Sequence, residues 1–237
     1  MSVSKGCIAL ALLFGGLILF CGCDLGGTYS ARYEASLASV GQRAALNEKL
    51  CAAPTAVTDA ATKPVGVSLR LPALFAEYSN SLAATEPRAL PPAVKLPGFS
   101  YAIERLVDDP ADPKKFAPVY CYLAAVPKGD QKADALQAEV QTQLSAAFAG
   151  AAWQDVQLTS PAGEPVAVRL ISVKGQQEFS NTRPDNATLQ LDGQMDIYFY
   201  EGPEHFVFIG FRAPTAQAVK YTFFEDARVA MTTIGQE

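Results

Sequence analysis

Histidine is almost missing from this chain of 237 residues: His205 is the only one. That excludes a zinc site built on paired imidazoles, and it leaves no second imidazole for proton relay. His205 stands beside Glu204 in a turn sequence and reads as an exposed turn residue. A Cys–His dyad would require Cys121, but a cysteine inside an apolar run packs more readily than it reacts. No GxSxG elbow is present, so a serine hydrolase of that type has no nucleophile. The glycine pairs Gly15-Gly16 and Gly26-Gly27 do not lie between a strand and a helix, so no phosphate loop is indicated. Asp108, Asp109 and Asp112 lack the alternating ligands and terminal glutamate of an EF-hand; with Lys114 and Lys115 beside them they read as a solvated loop. Positive charge is also short, 19 Lys and Arg against 24 Asp and Glu, for a net charge of −5. Lys5 is the only charge in residues 1–22, so the remainder carries −6. Binding to a nucleic-acid backbone has no electrostatic footing there. No metal, cofactor or catalytic group is expected.

What is present begins with cysteine, in an uneven distribution. Of five cysteines, Cys7, Cys21 and Cys23 fall in the first 23 residues, and only Cys51 and Cys121 follow. Cys121 lies in a predicted buried strand and Cys51 in a predicted tether, which favours two free thiols, though the spacing alone leaves pairing open. After Lys5 comes the apolar run CIALALLFGGLILF, Cys7 to Phe20, which has the length of a signal-peptide core and is short for a membrane span. It ends in Phe20-Cys21-Gly22-Cys23, which resembles a bacterial lipobox: Gly22 fits the small residue at −1 and Cys23 the acylated position, with Phe20 where leucine is usual. The resemblance implies removal of residues 1–22 as a signal peptide and lipidation of Cys23. It also implies attachment to a bacterial cell membrane, outside the cytoplasm. Acyl chains contribute about 0.8 kcal/mol per buried methylene, so several of them make a durable anchor. Asp24 resembles the signal that retains such proteins in the inner membrane of some bacteria.

Residues 23–64 read as the tether, with a possible helix over 28–50 that places Tyr33, Leu37, Val40 and Ala44 on one side. Residues 51–64, rich in Ala, Thr and Pro, read as linker, and the folded domain is expected over 65–237. Its predicted strands are Val65–Leu71, Tyr101–Val107, Val119–Val126, Val156–Thr159 and Val166–Val173. Residues 76–98 read as an extended excursion, and 174–188 as a polar loop. A helix is predicted over 132–150 from Leu136, Val140, Leu144 and Phe148, and a closing helix over Thr215–Ile234 from Val219, Phe223, Ala227, Ala230, Met231 and Ile234. Between them Met195–Tyr200 and Phe206–Arg212 flank Glu-Gly-Pro-Glu-His, a hairpin. In Phe206–Phe211 neither side-chain parity is polar, which predicts a central strand covered on both faces.

Strands that are apolar on both sides need a layer above and below. The fold class is therefore α+β, a mostly antiparallel sheet with helices on both faces. The opening VSLRLP, the mid-chain helix, the strand GEPVAVRLISV and the ending YFYEGPEHFVFIGFRAP with its closing helix resemble the PsbP-like α/β/α sandwich. That fold is shared by photosystem subunits, a Ran-binding family and small bacterial lipoproteins. The resemblance covers about residues 65–234 and carries over no binding residue. Its implication is a non-catalytic envelope lipoprotein that binds or supports another envelope protein. The alternative is a small-ligand-binding accessory with a pocket between sheet and helices. Arg212, at the end of the central strand, is the candidate ligand contact; otherwise it snorkels or pairs with Glu204 or Glu225.

Overall fold

The computed structural model describes residues 29–77, 79–86, 89, 93–110, 112, 115–129, 131–180 and 188–235. Cys23 and the whole of the leader lie outside them. The chain divides into two units, Met1–Ala45 and Leu46–Glu237. Residues 29–49 are helical (α1), as the sequence suggests. On this helix Tyr29, Tyr33, Leu37 and Val40 are all exposed.

The second unit is built on a seven-stranded antiparallel sheet. Its strands are β3 (Ser79–Ala83), β4 (Phe99–Asp108), β5 (Phe116–Pro127), β6 (Gln154–Thr159), β7 (Pro165–Ser180), β8 (Thr188–Glu201) and β9 (His205–Pro214). The spatial order is β3-β4-β5-β9-β8-β7-β6, so β9 is the middle strand. Phe206 to Phe211 are buried without exception, and the β8–β9 hairpin closes with Glu201 opposite Phe206. The predicted central strand is therefore central.

Each face carries its own core. On one side Cys121, Phe211, Tyr198 and Ile209 pack against α4 (Phe223–Met231) and a two-stranded ribbon, β1 (Thr55–Thr58) with β2 (Pro64–Leu69). On the other, Tyr122, Ile197 and Phe208 pack against Leu136, Val140 and Leu144 of α2 (Ala133–Ala147). These three α2 residues recur every fourth position, and burying each contributes about 1.5–3 kcal/mol. The architecture is α+β with helices on both faces of the sheet.

Four local expectations are corrected. Residues 51–64 are not a linker: Thr55–Thr58 is a strand, Val57 is wholly buried, and Arg70 Nε donates to the Cys51 carbonyl at 2.7 Å. Cys51 is accordingly half-buried rather than in a loose tether. It and buried Cys121 are both free thiols. Within 76–98, Ser79–Ala83 forms the edge strand β3. The predicted polar loop 174–188 is largely strand, because β7 runs on to Ser180 and β8 begins at Thr188; residues 181–187 lie outside the described set.

The closing helix is broken. It comprises α3 (Thr215–Lys220) and α4, joined at Tyr221–Thr222, with Thr222 left-handed at φ 49°. Asp108 at the end of β4 pins the junction, accepting from Lys220 Nζ at 2.6 Å and from the Tyr221 hydroxyl. The break rotates α3 out of the stripe, and Val219, expected on the apolar face, is 76% exposed. The bond from Lys220 holds the Asp108 carboxyl below its ordinary value. Its contribution to stability is therefore present above the usual carboxylate range and lost as pH falls through the depressed value.

Candidate functional site

Strand pairing lines up one row of side chains across the α2 face, polar up to its last member. Glu104 of β4 stands opposite Tyr120 of β5, Tyr120 opposite Arg212 of β9, and Arg212 opposite Met195 of β8. Side chains alternate along a strand, so Phe211 faces α4 and Arg212 faces α2. An arginine that ends an apolar strand is often on its way to solvent; this one is 3% exposed. It neither snorkels nor reaches Glu204 or Glu225. Its Nε donates to Gln177 Oε1 at 2.9 Å, Nη1 to the Tyr122 hydroxyl at 3.4 Å, and Nη2 to the Glu178 carbonyl. The guanidinium also lies 4.2 Å from the Phe179 ring centroid and 5.7 Å from that of Tyr120. Such cation–π contacts contribute about 0.5–2 kcal/mol each.

The partners Gln177, Glu178 and Phe179 come from the stretch of β7 beyond the end of β9. Their approach depends on a glycine pair. Gly175 and Gly193 face each other across β7 and β8, and Gly175 has φ 147°. A Cβ on Gly193 would sit 2.8 Å from Phe179 Cζ, so only glycine lets the ring lie over the sheet there. The ribbon bends back at this pair and covers the guanidinium.

Between the bent ribbon and the end of α2 is a pocket of about 220 Å³, lined by Ala93, Ala147, Phe148, Met195, Arg212 and residues 176–178. Phe148 leaves the helix in extended conformation, which ends α2 short of the predicted Gly150 and turns the ring toward Gly175. Ligand sites usually span about 300–1,000 Å³, so this one suits a small molecule. Its floor is rich in donors. Gln177 Oε1 is committed to Arg212, which fixes the amide's orientation, and buried Nε2 meets no acceptor among the described residues. Arg212's three acceptors are an amide, a phenol and a backbone carbonyl, all neutral. The buried carboxylate on this face, Glu104, is two strands away beyond Tyr120. Burial pushes the Tyr122 hydroxyl above its ordinary value against the pull of Arg212, and pushes up Tyr120 likewise, so both stay protonated.

The other candidates do not converge. His205 pairs with Pro127 and Cys121 with Phe211, six residues along β9. At about 3.4 Å per residue this separates them by about 20 Å, which excludes a dyad. Asp112 pairs with Lys115, and Asp108 serves the helix junction. Among the described residues no cluster of three His, Cys, Asp or Glu side chains is placed to hold a metal. Two larger hollows, about 350 and 540 Å³, are more polar. In the first, Arg169 already bonds Asp155 at 3.0 Å and Gln137 at 2.6 Å, a satisfied network. Gln177, Phe179 and Glu104 were not identifiable as site residues from sequence. The available signal was the alternation Leu189, Leu191, which lie opposite Phe179 and Gln177 and continue the strand pattern past the polar residues.

Asp196, on the α4 face, is buried and bonded by Ser172 Oγ at 2.6 Å and Gln194 Nε2 at 2.9 Å. Desolvation nevertheless raises its carboxyl above the ordinary value. A raised acid destabilises the fold once ionised and relieves it as pH falls through the folded value. Asp196→Asn keeps an acceptor for both donors. It should raise the melting temperature at pH 7, with the gain fading toward the ordinary carboxylate range. Paired thermal melts at pH 7 and pH 4 check this; an equal or lower melting temperature at pH 7 would contradict it.

No protein-family model matches the chain, and no curated protein is significantly similar to it.

Proposed function

We propose that this protein is a non-catalytic bacterial envelope lipoprotein, held to the membrane by acyl chains on Cys23, whose PsbP-like domain binds a small ligand in the pocket at Arg212. One observation carries the ligand role: a buried guanidinium and a buried amide whose Nε2 meets no acceptor among the described residues share the floor of a pocket that Ala93, Ala147, Phe148 and Met195 also line. Burying a cation costs several kcal/mol in effective desolvation, and folds keep such groups where they are used or matched. The anchor rests on Gly22-Cys23 after an apolar run. Among the described residues no helix is long and apolar enough to cross a membrane, which is compatible with lipid attachment. The test is mass spectrometry of the protein taken from its own membranes. A mature N-terminus at Cys23 carrying diacylglycerol and a released small molecule are expected. An unmodified or uncleaved Cys23 refutes the anchor, and a protein that neither releases nor takes up any small molecule refutes the pocket.

A second reading, attachment to another envelope protein, is favoured by the exposed stripe Tyr29, Tyr33, Leu37 and Val40 of α1. A photo-crosslinking residue at Tyr33 should capture one protein reproducibly in intact cells. Capture of lipid alone would remove this reading.

A further inference from the structure

We infer that the pocket takes a small amphipathic carboxylate, bound head-inward, with its carboxylate bridging Arg212 and Gln177 and its apolar body against Phe148, Met195, Ala147 and Ala93. This rests on the reading of the pocket as a ligand site and adds the chemistry of the ligand. The head group follows from counting donors. A guanidinium carries more N–H groups than the three bonds to Gln177, Tyr122 and Glu178 use. Both N–H groups of Gln177 Nε2 are also unspent among the described residues. Donors are in surplus and the fixed charge is positive, so the matching group is an acceptor with negative charge and two oxygens, the geometry that suits a guanidinium. Glu178 does not supply it. It lies on the opposite side-chain parity of β7, its side chain is exposed, and only its backbone carbonyl meets Arg212. Glu104 is held beside Tyr120 on the far side of that ring.

The body follows from the walls. Ala93, Ala147, Phe148 and Met195 present methyl groups, a ring and a thioether, surfaces suited to hydrocarbon. About 220 Å³ holds roughly seven waters at about 30 Å³ each, which limits the ligand to a short chain or a single small ring. A dicarboxylate or a phosphate ester would bury charge against the apolar end with nothing to receive it.

The full chain in zwitterionic lipid nanodiscs, with empty nanodiscs as blank, can be titrated calorimetrically with hexanoate, hexanamide and hexan-1-ol. Hexanoate should bind at least about tenfold more tightly than either neutral analogue. Arg212→Met should abolish that preference. Gln177→Glu keeps an oxygen facing Arg212 Nε and adds an internal carboxylate, so it should raise the melting temperature while weakening hexanoate at least about tenfold. This variant tests the charge argument even if Arg212→Met fails to fold. If hexanamide binds as well as hexanoate, the pocket reading stands and the carboxylate falls. If none of the three binds, both fall. A Gln177→Glu protein that melts lower, or takes hexanoate as well as the parent, overturns the inference.

Discussion

Phe211→Ala should destabilise the folded domain by about 3–5 kcal/mol, the usual cost of emptying a wholly buried aromatic site. Phe211 sits on the central strand and is wholly buried. Its ring lies edge-on 6.1 Å from Tyr198 of the next strand and 6.1 Å from Phe223 at the start of α4. Truncation removes both aromatic contacts and loosens α4 from the sheet at once. A domain of this size loses about 2–4 °C per kcal/mol, so the melting temperature should fall by roughly 6–20 °C. Val219→Ala is the matched control. A continuous closing helix would bury Val219, whereas the break at Tyr221–Thr222 leaves it in water, and a change within about 0.5 kcal/mol is expected. A large loss from Val219→Ala, measured by the same denaturant titration, would mean that the helix is not broken.

Gly98→Ala should be about as damaging, for a backbone reason. Gly98 has φ 67°, and a Cβ there would lie 2.1 Å from the Ala125 carbonyl oxygen and 2.8 Å from Val126 Cγ2. The same glycine accepts from Ala125 N at 3.1 Å, so its approach to β5 is part of the sheet's hydrogen bonding. Left-handed backbone costs a non-glycine residue about 1–2 kcal/mol, and displacing a central strand adds to that, giving about 3 kcal/mol or more. Gly41 is the opposite case: it lies in α1, where a Cβ would meet no atom of the described residues within 4 Å. Gly41→Ala should strengthen that helix by about 0.5–1 kcal/mol. Circular dichroism melts of the two variants should move in opposite directions; a Gly98→Ala protein as stable as the parent would contradict the close approach.

The layered sheet was legible because its central elements are unambiguous in composition. Phe206–Phe211 has no polar parity, and α2 repeats its apolar residue every fourth position, so both elements, and the hairpin before β9, could be placed. The failures share a cause: the deciding contact is made by residues far apart in the chain. Thr55–Thr58 buries one wholly enclosed residue, Val57, and is a strand because β2 pairs with it. Past Val173 the inward positions of β7 are Gly175 and Gln177, so the apolar alternation lapses until Phe179. Arg212 could be singled out as a charge at the end of a buried strand. Its environment could not, since its partner Gln177 is 35 residues away in sequence and arrives through the bend at Gly175 and Gly193. Local patterning carries no record of that bend.

The most direct measurement is the side-chain ¹⁵N spectrum of the full chain in nanodiscs, recorded with and without hexanoate, following the Arg212 Nε–H and Gln177 amide signals. Both should shift together and saturate at the same ligand concentration, with the β8–β9 turn from Glu201 to Phe206 unmoved. Signals from Arg212 and Gln177 that stay in place at saturating hexanoate would contradict a carboxylate held between them.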